Sequence, residues 1–182
     1  TPSRAMDTCF ALVDCQNFYA SVERVFNPAL RERPVAVLSN NDGCIIARSE
    51  AVKAASIPMG APVFKWREEL EEMNAAVLSS NYTLYGDMSR RVVSILEETA
   101  LEVERYSIDE CFITLPALTR ENLHRVGDSM RRAVLKQLGI PIRVGIGPTK
   151  TLAKVADENA KARKRAGWGQ GVYVCPEEPK RE

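Results

Sequence analysis

The chain has 182 residues, 45% of them apolar and 27% charged, with 25 basic against 24 acidic side chains. That composition suits a soluble globular protein of one domain or two small ones and excludes a disordered chain. No apolar run approaches the ~20 residues needed to cross a bilayer and the N-terminus lacks a signal-peptide core, so no membrane partner is expected.

In chain order, Cys9–Val13 is a short apolar run ending at Asp14, and it reads as a buried strand. Asn17 is placed to cap a helix carrying Tyr19, Val22, Val25 and Phe26, which Asn27-Pro28 ends. Pro34–Leu38 and Cys44–Ala47 read as a hairpin joined by the turn Ser39–Gly43. A helix over Ser49–Ala55 follows, then breakers at Pro58, Gly60 and Pro62, a second helix over about Val63–Met73, and a strand at Ala75–Leu78. Asn81–Thr99 is a long amphipathic helix with Leu84, Met88, Val92 and Ile95 on one face. Two strands flank Ser107–Glu110, and a helix spans Arg120–Leu138, ended by Gly139. Ile142–Ile146 is a strand, Thr151–Arg165 a basic helix, and Gly171–Val174 a last strand. Strands alternating with helices predict an α/β (α+β) fold, with helices over one or both faces of a central sheet. Residues 18–80 hold short, Pro/Gly-punctuated elements and 81–175 long regular ones, so a small subdomain inserted into a larger core is expected.

Chemistry is restricted by what is scarce. His124 is the only histidine and lies far from any cysteine pair, which argues against zinc and removes histidine-dependent nucleophilic triads. The five cysteines form no CxxC pair, as expected of reduced thiols in the cytoplasm. A net charge of +1 neither demands nor excludes nucleic acid. Carboxylates and cations are left to carry any reaction.

Asp109 and Glu110 stand together at a strand junction with no Lys or Arg beside them in sequence. Like charges ~4 Å apart repel by about 4 kcal/mol at an effective dielectric near 20, so a cation is expected against them. The plainer reading is a polar turn. Asp14, at the end of another strand, makes a third carboxylate if the strands are neighbours; the plainer alternative is an N-terminal charge on the following helix. Three carboxylates and a main-chain carbonyl, here that of Cys15, suit Mg²⁺, and two such ions would serve an in-line phosphoryl displacement. Phe18 and Tyr19 are either helix core or a surface beneath a nucleotide sugar, where a ring could reject a 2′-hydroxyl. Arg48, Lys53 and Lys161 are solvated surface or triphosphate partners. Lys150 and Lys154 open a basic run that is either a solvated face or a phosphate-contacting one. Gly145–Lys150 lacks the spacing of a P-loop.

The segments 10–21, 37–48, 80–89, 106–110 and 145–154, in that order, resemble the Y-family translesion DNA polymerases, and Ser39–Cys44 resembles their UmuC-type branch. The resemblance implies a polymerase palm (6–17 and 81–175) with an inserted fingers subdomain (18–80); residues 1–5, preceding the plausible initiator Met6, read as a remnant of vector sequence, and 176–182 as a tail. It implies Asp14, Asp109 and Glu110 as catalytic Mg²⁺ ligands, with the Cys15 carbonyl joining them. Tyr19 would be the steric gate against ribonucleotides with Phe18 beside it, while Arg48, Lys53 and Lys161 would meet the triphosphate. Lys150 and Lys154 are expected on DNA. Two polar positions used by many relatives are Ala47 and Glu50 here, with Arg48 as a compensating cation. Thumb and little-finger domains are expected to be missing, leaving a weak or inactive catalytic core. Primer-template DNA, deoxynucleotides, a UmuD-like accessory subunit and a recombinase filament are the implied partners, in SOS-type damage tolerance. A non-catalytic binding module of a damage response is the competing reading. A palm-fold nucleotidyl cyclase is the third, which Tyr19 and the UmuC-type segments oppose.

Overall fold

The structure, a computed structural model, describes residues 7–165 and 171–176. The expected remnant at 1–5 and the tail from 177 onward lie outside these. The elements run β1 (Thr8–Cys15), α1 (Phe18–Phe26), β2 (Val35–Leu38), β3 (Ile45–Arg48), α2 (Glu50–Ala54), α3 (Arg67–Glu72), β4 (Ala76–Ser79) and α4 (Tyr82–Glu97). They continue as β5 (Glu102–Arg105), β6 (Glu110–Pro116), α5 (Arg120–Leu138), β7 (Ile142–Gly147), α6 (Lys150–Arg165) and β8 (Val172–Val174). The chain divides into two compact units: Gln16–Met88, and the segments on either side of it.

The flanking segments form a five-stranded mixed sheet in the order β5-β6-β1-β7-β8. β1 is central, antiparallel to β6 and to β7, while β7 and β8 are parallel and joined through α6. Strict alternation along β7 assigns its two faces. Val144 and Ile146 face α5, where a Cβ on Gly127 would meet them at 3.5 and 3.4 Å. Arg143, Gly145 and Gly147 face the other way, and a Cβ on Gly145 would stand 2.2 Å from the main-chain nitrogen of Asp157 on α6. Helix α6 therefore lies directly on the strand backbone, an approach only glycine permits. Helices thus cover opposite faces of this sheet. Helix α5 forms as its sequence directs: Thr119 Oγ1 accepts from the Asn122 N–H at 3.2 Å, and Gly139 closes the other end at φ 73°.

Gln16–Met88 carries a three-stranded sheet, β3-β2-β4, with β2–β3 antiparallel and β2–β4 parallel. The expected hairpin turn forms, with Asn41 Oδ1 accepting from the Gly43 N–H at 3.1 Å. Its core gathers Leu38, Ile45, Val52, Ile57 and Leu70. Two expectations change here. The helix over 63–73 is a 3₁₀ turn at Val63–Lys65 followed by α3, because Trp66 at φ −117° leaves the helical region. Asn17 precedes α1 in a left-handed conformation (φ 47°) and makes no side-chain cap, its amide being engaged elsewhere. On α4 the fully buried side chains are Tyr85 and Leu96, with Met88, Val92 and Ile95 also buried, whereas Leu84 is only half-buried.

Candidate functional site

The strand register brings the predicted carboxylates together. Asp14 pairs directly with Glu110 across β1–β6, and Asp109 is the residue before β6 begins. Directly opposed residues place their Cβ atoms about 4.5–5.5 Å apart on one face of the sheet. The turn between β5 and β6 is held by its backbone. The Tyr106 and Ser107 N–H groups both donate to the Glu110 carbonyl, at 3.0 and 3.1 Å, and the Cys15 N–H donates to the Asp109 carbonyl at 2.8 Å. From α4, the buried Ser89 hydroxyl donates to the Ile108 carbonyl at 2.6 Å.

Each acidic side chain has a protein partner. Ser107 Oγ lies 2.7 Å from Asp109 Oδ1 and 3.2 Å from Glu110 Oε2, so one hydroxyl proton is shared between two carboxylates. Asp14 Oδ2 is paired with Arg143 Nη2, its cross-strand neighbour on β7. Arg143 Nε also reaches Asp157 Oδ1 at 3.4 Å. Burial pushes the Asp14 carboxyl up to about 7; Arg143 opposes the rise, and Asp157, Asp109 and Glu110 add to it. Asp157 is raised as well, again chiefly by burial. The Cys15 thiol is fully buried and pushed well up, which leaves its main-chain carbonyl as its donor to a cation.

An all-oxygen donor set of three carboxylates and a carbonyl fits a hard divalent ion such as Mg²⁺. Among the described residues, no group of three or more His, Cys, Asp and Glu side chains already encloses a metal position. Asp14 is turned to Arg143, and Asp109 and Glu110 to Ser107. The donors fit in kind and share one end of the neighbouring strands β1 and β6.

The other predicted residues have different fates. In Gln16–Met88, Tyr19 stacks on Tyr85 at 4.4 Å between ring centroids and 14° between planes, and Tyr82 meets its edge at 5.8 Å. Tyr85 is fixed in turn by its hydroxyl, which donates to Glu23 at 2.7 Å. Phe18 is 4% exposed and packs as helix core, one of the two readings its sequence offered. Lys53 pairs with Asn17 Oδ1, and the Asn17 amide donates to Glu50 at 3.0 Å. Arg48 donates to the Ile57 carbonyl at 2.8 Å, while its buried Nε–H has no hydrogen-bond partner among the described residues.

In the larger sheet unit, Lys161 lies one helical turn beyond Asp157 on α6. Lys150 pairs with Glu104 and sits over Phe10 and Phe112, and Lys154 sits 4.8 Å over the Tyr106 ring. Sequence reasoning missed Arg143, Asp157, Ser107 and Tyr85. A signal for Arg143 existed: it is the one charge in the alternating apolar run Ile142–Ile146.

Comparison with known proteins identifies the fold first. It is that of a structure titled "Insertion ternary complex of Dbh DNA polymerase", with a TM-score of 0.78 over 92% of this chain and 48% of that one, at 23% identity. The chain belongs to the impB/mucB/samB family, whose model matches residues 13–158. It is 48% identical over 157 residues to Protein UmuC of Salmonella typhimurium, covering 86% of this chain and 37% of that protein. It is 34% identical over 161 residues to DNA polymerase IV 2 of Bacillus subtilis, covering 86% of this chain and 39% of that protein. The chain therefore spans well under half the length of these relatives.

Proposed function

We propose that this chain is the catalytic core of a template-directed DNA polymerase of the translesion type, adding deoxynucleotides to a primer end. The observation that carries the reading is the register pairing of Asp14 with Glu110, with Asp109 adjacent, in a chain of this family. Asp14, Asp109, Glu110 and the Cys15 carbonyl would hold two Mg²⁺ ions. Bound there, the ions supply positive charge to the triphosphate and lower the pKa of the attacking 3′-hydroxyl.

Tyr19 bounds the space for the sugar and rejects a 2′-hydroxyl; its stacking on Tyr85 fixes the ring plane. Lys53, Lys161 and Arg48 offset triphosphate charge, and the orphaned Nε–H of Arg48 is a donor suited to a phosphate oxygen. Lys150 and Lys154 meet the DNA backbone. On this reading residues 6–17 and 81–175 are the palm and 18–80 the fingers. The protein works in the cytoplasm in SOS-type damage tolerance, alongside a UmuD-like subunit and a recombinase filament.

The test is primer extension with Mg²⁺ and single nucleotides. Tyr19→Ala is expected to raise ribonucleotide incorporation about 10²-fold relative to deoxynucleotide, the scale at which loss of one shape-based rejection acts. Sugar selectivity equal to wild type would remove the gate from Tyr19. A second reading, a non-catalytic binding module, is favoured by one observation: every carboxylate of the cluster has a protein partner. Mg²⁺-dependent extension decides against it.

The raised Asp14 value also gives a pH dependence. Folded Asp14 keeps a proton up to about 7, against an ordinary 3.8, so a cation must displace that proton at lower pH. Mn²⁺ binding is expected to tighten as pH rises from 5.5 to 7.5, with a flatter profile in Asp14→Asn. A slope unchanged in Asp14→Asn would place the titrating group elsewhere.

A further inference from the structure

We infer that Arg143, held from behind by Asp157, is a positioning residue for the metal ligand Asp14. The inference rests on the metal reading proposed above.

Arg143 is nearly enclosed, with 11% of its side chain exposed, between Asp14 at 14% and Asp157 at 5%. A buried pair of this kind is weak evidence for stability, because desolvation cancels much of the attraction. Its location is more informative. Arg143 is the direct cross-strand neighbour of Asp14, on the strand opposite the one that supplies Glu110. The guanidinium therefore takes Oδ2 of Asp14 from the β7 side and sets the orientation of that carboxylate. Groups that hydrogen-bond a ligating carboxylate fix its rotamer, and their removal costs about 10- to 100-fold in metal affinity.

The support behind Arg143 is built into the packing. Gly145 and Gly147, the next residues on that face of β7, bring the α6 backbone onto the strand. The seat delivers Asp157 to Arg143: the Gly145 Cβ position lies 2.2 Å from the Asp157 nitrogen and 2.7 Å from its Cα. The Asp157 backbone is thereby fixed beside the strand. Arg143 therefore has one carboxylate as a fixed anchor and the other as its cargo.

The experiment is a Mn²⁺ titration of the full chain, followed by electron paramagnetic resonance of the free ion. Mn²⁺ shares the oxygen preference of Mg²⁺. Arg143→Met is expected to weaken binding about 10- to 100-fold and Arg143→Lys to restore part of it. Because Arg143→Met strands two buried carboxylates, the double variant Arg143→Met/Asp157→Leu, which strands Asp14 alone, provides the less disrupted comparison. It is expected to unfold at a higher temperature in EDTA than Arg143→Met yet show the same weakened binding. Mn²⁺ affinity equal to or tighter than wild type in that double variant, with binding still lost in Asp109→Ala, overturns the role of Arg143 and leaves the metal site intact. Wild-type binding that is absent, or indifferent to Asp109→Ala, overturns the metal site itself and this inference with it.

Discussion

On the proposed reading, Asp109→Ala is expected to lower Mg²⁺-dependent primer extension by about 10³-fold while leaving the fold in place. The magnitude follows from charge: one carboxylate about 4 Å from a cation contributes about 4 kcal/mol at an effective dielectric near 20, and each 1.36 kcal/mol is about tenfold in rate. The fold survives because the turn does not hang on this side chain. Its backbone is held by Tyr106, Ser107 and Cys15 N–H groups and by the Ser89 hydroxyl. The substitution removes only the Ser107 contact to Oδ1, and Ser107 keeps Glu110 as an acceptor. Single-turnover extension, with unfolding temperature as the check on folding, measures the effect. Extension within a few-fold of wild type would dissociate Asp109 from catalysis.

The second large effect is structural. Gly145→Ala is expected to cost about 3 kcal/mol or more, at the upper end for overpacking. For a chain of this size that lowers the unfolding midpoint by about 6–12 °C. The new methyl would meet Asp157 N at 2.2 Å, and Ala153 O and Asp157 Cα at 2.7 Å, all of them backbone atoms of α6. No rotamer change can relieve backbone, so the helix itself must lift off β7. Gly127→Ala is the internal comparison: there the nearest atom, at 2.8 Å, is a side-chain methyl of Val172, which can move. A smaller loss is expected at Gly127. Equal midpoints for Gly145→Ala and wild type would contradict the seating of α6 on the strand.

Most elements were legible because their patterns are local. Helix α5 carries its own cap and terminator, and β2–β3 its own turn. The acidic cluster was legible in part, since Asp14 and Asp109-Glu110 both stand where apolar runs stop. What could not be read was who answers those charges. Arg143 lies 129 residues from Asp14, and only the β1–β7 register makes them neighbours. Asp157 is one of two acidic residues on the basic helix α6, and only the Gly145 approach brings it inward. Phe18 and Tyr19 are adjacent in sequence, yet one is core and the other stacks on Tyr85. Adjacent positions on a helix face about 100° apart, and the local sequence did not say which face would be covered.

The central position of β1 ranks the three carboxylates by how readily they can be disarmed. Asp14 is laced on both sides, to β6 and to β7, so its amide neighbours should exchange with solvent only when the whole sheet comes apart. Asp109 and Glu110 sit where the β5–β6 hairpin turns; β6 is itself paired to β1, but the outer strand β5 has a single neighbour. Fraying of β5 would loosen the turn that carries two of the proposed ligands while β1 keeps the third in place.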